Sequence, residues 1–301
     1  MKTIKFFLPV IMLAFAFTLN ACSDDSTTSA DMQDPSITEI AAANAQFSTL
    51  VGALQATGLD EALDGDGQFT VFAPTNDAFA ALPEGTLESL SGEQLETILL
   101  YHVLGAEVFS GQLEAQQSPE SLSGEEIFVV ASNSGVTVNA AASVTTADIE
   151  ARNGVIHVID EVLLPDAFGT IVDNAAKRYF LSSLVQAVID ADLVDALLGD
   201  GPFTVFAPTD DAFAAIASVA AELTVEELTD VLLYHVIQGE VLSTDLQPSQ
   251  EVTTLNGETI TIEVSGGAAT INGTSGITIV DVRGTNGVIH VIDEVLLPSA
   301  D

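Results

Sequence analysis

Residues Asn153–Pro165 read NGVIHVIDEVLLP, and the same stretch returns unchanged at Asn286–Pro298, 133 residues later. Working outward, LLYHV at Leu99–Val103 returns at Leu232–Val236. FTVFAPTNDAF at Phe69–Phe79 returns as FTVFAPTDDAF at Phe203–Phe213. The three blocks keep their order, and their spacing changes by one residue where ALPEGTLESL faces AIASVAAEL. Solenoid units run to about 50 residues. A period of this length is instead that of a duplicated domain, so the 301-residue chain reads as two copies of one module.

Each copy carries the same local signals. FSTLVGALQATGLDEAL in the first and LSSLVQAVIDADLVDAL in the second place Leu50 and Leu54, or Leu184 and Val188, at helical spacing. A Gly-Asp-Gly turn and the strand FTVFAP follow. Thr75 or Thr209 then stands where a helix N-cap is wanted, with Asn76-Asp77 or Asp210-Asp211 near the positive end. Ser91 with Gln94, and Thr224 with Glu227, form capping-box patterns ahead of the helix that carries Tyr-His. IFVV, VTVNA, TITIEV and ITIVDV are β-branched or alternating, with Asn, Ser and Gly between them. Helices first and strands after predict an α+β fold rather than βαβ repeats.

The charge is extreme, with 44 acidic residues against 6 basic. Phosphate backbones require clustered Lys and Arg, so nucleic acid is an unsuitable partner, and anionic lipid surfaces are disfavoured for the same reason. Cys22 is the one cysteine, so no disulfide can form within the chain. Met1–Ala21 has a basic start at Lys2 and Lys5 and an apolar run over Phe6–Phe17, too short to span a bilayer comfortably. LNAC at Leu19–Cys22 resembles a bacterial lipobox, which implies a lipoprotein signal peptide over residues 1–21 and lipidation of Cys22. The following SDDS resembles the surface-export signal of Bacteroidetes-type lipoproteins. The expectation is an outer-membrane lipoprotein exposed at the cell surface, with a periplasm-facing anchor as the alternative. Residues 22–35 read as a flexible tether. Loss of the signal peptide leaves a net charge near −40.

FTVFAPTNDAF, YHV and NGVIHVIDEVLLP resemble the signature segments and central Tyr-His of the fasciclin domain, in order and in both copies. The resemblance covers residues 36–165 and 169–298. It implies two modules, each a β-sandwich or wedge flanked by helices, a role in cell adhesion or matrix contact, and neither cofactor nor catalysis. In animal members Tyr-His and a nearby Asp-Ile have been proposed as integrin contacts. The matching positions are Tyr101, His102, Asp148 and Ile149, then Tyr234, His235 and Asp281, where Val282 replaces the Ile. A bacterial surface protein need not meet integrins, so that ligand is not carried over.

The residues themselves favour a structural role for the histidines. Leu95, Ile98, Leu99 and His102 fall at i, i+3, i+4 and i+7, as do Leu228, Val231, Leu232 and His235, which puts both His on an apolar stripe. In VIHVID, His157 shares its strand face with Val155 and Ile159, and His290 repeats the arrangement, so these two are also expected in the core. No H-x-x-x-H pattern or Cys ligand accompanies them, so no metal site is expected. Asp64-Gly65-Asp66-Gly67 lacks the spacing and terminal Glu of an EF-hand and reads as a turn. There is no G-x-S-x-G, P-loop or dinucleotide fingerprint, and Asp160-Glu161, read as strand neighbours, would point to opposite faces.

The function expected from these readings is a lipid-anchored surface adhesin, not an enzyme. It would bind extracellular matrix, polysaccharide or a cell-surface protein through its two modules. The alternative is an extracytoplasmic carrier of a small ligand or polysaccharide, using a pocket where sheet and helices meet. The short DAFGT join at Asp166–Thr170 predicts limited freedom between modules.

Overall fold

A computed structural model describes residues 34–299 apart from Asp66 and Glu84. The expected signal peptide, the expected lipidation site Cys22 and all but the end of the expected tether lie outside the described residues. In the first module the helices α1 (Ile37–Ala43), α2 (Ser48–Thr57) and α3 (Leu59–Leu63) lead to strand β1 (Phe69–Pro74). Helices α4 (Asn76–Ala80), α5 (Thr86–Ser89) and α6 (Gly92–Tyr101) follow. The strands β2 (Val103–Leu104), β3 (Gln116–Gln117), β4 (Val129–Ser132), β5 (Gly135–Val138), β6 (Ala142–Ala151) and β7 (Gly154–Ile159) complete it. The second module repeats the order as α7 (Ile171–Lys177), α8 (Ser182–Asp190), α9 (Val194–Leu197), β8 (Phe203–Pro208), α10 (Asp210–Ala215), α11 (Ala217–Ala220) and α12 (Val225–Tyr234). Its remaining strands are β9 (Val236–Gln238), β10 (Ser249–Thr253), β11 (Thr259–Ser265), β12 (Ala268–Ile271), β13 (Ser275–Gly284) and β14 (Gly287–Ile292).

Both modules are α+β, each with one seven-stranded sheet in the order β2-β1-β7-β6-β5-β4-β3 or its counterpart. The repeated NGVIHVI is the central strand. It runs parallel to FTVFAP, from Phe69 against Gly154 to Pro74 against Ile159. Alternation along these strands feeds two cores. Val71, Ala73, Ile156 and Val158 meet the helices through Phe47, Leu50, Leu54 and Leu99. On the other face, Phe72 of β1 and Val129 of β4, far apart in the strand order, share a core with Tyr101, Ile127 and Ile159. The sheet therefore curls over its own face, and this curl is the wedge. Each Leu, Ile or Phe side chain withdrawn from water contributes about 1.5–3 kcal/mol.

The opening Asn-Gly of the repeated stretch explains why it closes each module. Asn153 Oδ1 accepts from Ile37 N at 3.0 Å, and its Nδ2 donates to Leu63 O at 2.6 Å. Asn286 makes the same bonds with Ile171 N and Leu197 O. One side chain thus ties the first helix, the turn before the parallel strand and the closing strand together. Gly154, at φ 144°, lies so close to β1 that a Cβ there would stand 1.9 Å from Phe69 O. Gly287 is equally constrained, with 2.2 Å to Phe203 O.

Two local expectations are revised and one is extended. The first long helical stretch is two helices, because Gly58 turns left-handed at φ 73° between α2 and α3, and Asp192 does the same at φ 54°. Asn76 and Asp210, in the first turns of α4 and α10 as expected, also support a second helix, accepting from Thr49 N and Ser183 N at the start of α2 and α8. Asp160-Glu161 lie beyond the strand, which ends at Ile159, and Asp160 accepts from Ser143 N at 2.6 Å.

The junction is densely bonded. Asp166 accepts from Arg178 at 2.5 Å and Lys177 at 3.3 Å, and Lys177 Nζ also donates to Leu164 O and Asn174 Oδ1. Phe128 of the first module packs edge-on against Tyr179 and Phe180, with the Arg178 guanidinium 5.0 Å from its ring centroid. These contacts fit the limited freedom expected of the short join.

Candidate functional site

The Tyr-His pair sits at the end of a well-capped helix. Ser91 Oγ accepts from Gln94 N and Gln94 Oε1 accepts from Ser91 N, so both halves of the capping box form on α6. Thr224 and Glu227 do the same on α12. The helix ends at Tyr101, so His102 is its C-cap rather than an interior residue. It is nonetheless only 2% exposed. His102 Nδ1 donates to Ile98 O at 2.7 Å, satisfying a carbonyl the helix end leaves free, and Nε2 accepts from Leu163 N at 2.9 Å. His235 repeats this with Val231 O and Leu296 N. One nitrogen must donate and the other accept, which fixes the neutral tautomer. Burial agrees, pulling both imidazoles down to about 4, against the smaller effect of the bonded carbonyl.

Tyr101 faces the opposite core. Its hydroxyl donates to Glu126 O at 3.0 Å and accepts from Asn139 Nδ2 at 3.0 Å, while Asn139 Oδ1 accepts from Phe128 N. Burial raises the phenol well above its ordinary value. Tyr234, Asn272 and Thr259 O form the same set. The Asn partners are absent from the sequence reading, although each lies 38 residues after its Tyr in both copies.

The second pair of histidines is equally occupied. His157 Nε2 donates to Val108 O at 2.9 Å, and Nδ1 accepts from Asp148 N at 3.2 Å. His290 pairs with Val241 O and Asp281 N. Their rings lie against Phe72 and Phe206. All four imidazoles therefore have both nitrogens engaged, and none offers a free base to a substrate.

Asp148 and Asp281 sit at φ 58° in irregular stretches of β6 and β13, where the strands change register. Asp tolerates this left-handed conformation better than most residues. Burial opposes the charge on Asp148, but hydrogen bonds from the hydroxyl and amide of Ser110 outweigh it, with His157 adding to them, and hold its carboxyl below the usual range. Ser243 holds Asp281 in the same way, with His290 and Arg283 adding to its effect. Ser110 and Ser243 were not singled out from sequence. Ile149 is half-buried against the helical core, and Val282 is buried.

The structure thus separates the candidate residues. Tyr101, His102, Tyr234, His235, His157 and His290 are interior. Asp148 and Asp281 sit on half-exposed bulged strands, beside the exposed Ile279 and Val280 in the second module. Among the described residues no group of three or more His, Cys, Asp or Glu is placed to hold a metal.

A duplicated α+β module whose signature histidines brace its core is a scaffold architecture. The Fasciclin domain profile matches residues 45–165 and 180–298, and the chain belongs to that family. Human periostin is 34% identical over 266 residues, covering 88% of this chain and 31% of periostin. Pig transforming growth factor-beta-induced protein ig-h3 is 33% identical over 250 residues, covering 79% of this chain and 36% of ig-h3. The chain therefore spans about a third of the length of these relatives. A solved domain pair from the insect cell adhesion molecule Fasciclin I aligns with TM-score 0.59 at 18% identity, over 84% of this chain and 97% of that one. It shares the fold.

Proposed function

We propose that this protein is a lipid-anchored cell-surface adhesin whose two fasciclin modules bind matrix, polysaccharide or a cell-surface protein without catalysis. Membership of a family whose domain pair also builds an insect cell adhesion molecule supports adhesion. LNAC at Leu19–Cys22, followed by SDDS, supports the lipid anchor and outward display. The observation that carries the binding mode is the interior position of both Tyr-His pairs. Partner contact then falls to exposed faces, foremost the bulged strands β6 and β13.

The test has two arms. Labelled palmitate should enter the protein in cells, be lost in Cys22→Ser, and the displayed protein should be cut by protease added to intact cells. Beads carrying the full chain should bind a matrix or glycan array. Ile279→Asp with Val280→Asp should lose that binding with melting temperature unchanged. Binding lost only in His235→Ala, with melting temperature unchanged, would assign the contact to Tyr-His instead.

A further inference from the structure

The second module encloses an apolar cavity of about 160 Å³ between its helices and its sheet, bounded by Ile171, Val188, Val194, Leu232 and Ile289. The inner part of the equivalent space in the first module is about 10 Å³, and its outer part is an open depression of about 280 Å³. The duplication shows what closes it. Phe47 and Leu54 line the first space, whereas in the second the smaller Val188 lines it and Leu181, in place of Phe47, does not reach it. The scaffold can therefore fill this space, and the second copy leaves it open.

The rim changes in the same sense. Thr38, Gln55, Asp60 and Asp64 line a polar depression over the first module. Their counterparts are Val172, Ile189, Val194 and Leu198. Asp64 pairs with Arg152 at 2.6 Å across that rim, whereas their counterparts are Leu198, which is 44% exposed, and Thr285, which cannot form an ion pair. Ile189 lines the cavity and is 54% exposed, so the cavity reaches the surface there. Three polar-to-apolar changes, at Val172, Ile189 and Val194, line the cavity above a core where Phe47 and Leu54 give way to smaller residues. His235 is the single polar side chain in the lining, and both its nitrogens are bonded to backbone.

We propose that this cavity is a binding site for an uncharged hydrocarbon group of about six to eight carbons, since an apolar cavity of roughly 150 Å³ stays dry and accepts benzene. The group could be supplied by a small free molecule or by the end of a longer chain. No lining side chain offers a cation or a free donor to an anionic head. The exposed Asp173, Asp190 and Asp195, next in sequence to Val172, Ile189 and Val194, repel one.

The full chain is titrated with benzene, 1-hexanol, 1-dodecanol and hexanoate while Ile, Leu and Val methyl resonances are followed. Saturable shifts confined to the second module, at one site per chain, are expected for benzene and 1-hexanol, with hexanoate at least tenfold weaker. Tighter binding of 1-hexanol than 1-dodecanol identifies a small free ligand, and the reverse identifies the end of a longer chain. Leu181→Phe with Val188→Leu, which installs the first module's residues, should weaken binding at least tenfold without lowering the melting temperature. Should that pair fail to fold, Val194→Asp gives the same readout from the mouth. Absence of saturable shifts in the parent, or equal binding by the filled or charged variants, would overturn the proposal. So would sedimentation showing a dimer that Ile189→Asp with Leu198→Asp returns to monomer, with no probe bound in the cavity.

Discussion

His102 and His235 look chemical in the sequence and are braces in the structure. Each joins a helix end to the LLP segment after the closing strand, using both ring nitrogens. Their stability contribution depends on pH with a definite sign. In the unfolded chain an imidazole takes a proton near pH 6.5. In the fold it does so at about 4, so between these values the unfolded state binds more protons and stability falls as pH falls. The contribution is complete above about pH 6.5 and amounts to roughly 3 kcal/mol per histidine. His235→Gln keeps a donor and an acceptor but does not titrate. Its denaturation free energy should fall less steeply from pH 6 to 4.5 than the parent's, by about 1.4 kcal/mol per pH unit. Comparison with the parent cancels the carboxylates common to both proteins, and equal slopes would contradict the neutral tautomer. The apolar stripe around these histidines was legible from i, i+3, i+4 and i+7 spacing. Their backbone partners were not, because Leu163 and Leu296 lie 61 residues away.

At the scale of elements, the closing strand is held by its glycine as much as by its apolar run. Gly154→Ala must push β1 and β7 apart, since its Cβ would stand 1.9 Å from Phe69 O at a φ of 144°. A loss of about 3 kcal/mol or more is expected in urea unfolding. Gly52 is the control. It lies within α2 with nothing near its Cβ position, so Gly52→Ala should stabilise by about 0.5–1 kcal/mol. Both effects concern backbone close to one glycine, yet only β-sheet pairing distinguishes them. The capping boxes at Ser91 and Thr224 were legible because their partners are three residues away. The roles of Asn76 and Asp210 on a different helix were hidden by distance in the chain.

For the whole molecule, charge and junction matter most. Lys177 and Arg178 are two of the four basic residues beyond Cys22, and both are buried on Asp166. Burial pulls the Lys177 ammonium below its ordinary value against the attraction of Asp166. Asp166→Ala leaves two buried cations without their carboxylate and should cost about 3–5 kcal/mol. Calorimetry should then show the modules melting separately, where the parent melts in a more concerted transition. The rest of the surface carries a large excess of acid, so copies of the chain repel one another at low salt. Sedimentation should show any self-association rising with salt or divalent cation. Tighter association at low salt would rule out this electrostatic account.

The duplication, the α+β class, the helix caps and the buried character of the strand GVIHVI are properties of the sequence alone. They rest on short-range rules: strand alternation, helical period and hydrogen bonds reaching three or four residues. What the tertiary structure decided concerns pairs distant along the chain. It showed that Tyr-His faces inward, that Asn139 and Asn153 bind backbone far away, and that two modules of one fold differ inside. The cavity lies where Val188 replaces the larger Leu54 and where Leu181, in place of Phe47, does not reach. Packing depends on the volumes that converge there, and convergence is set by the fold rather than by spacing along the chain.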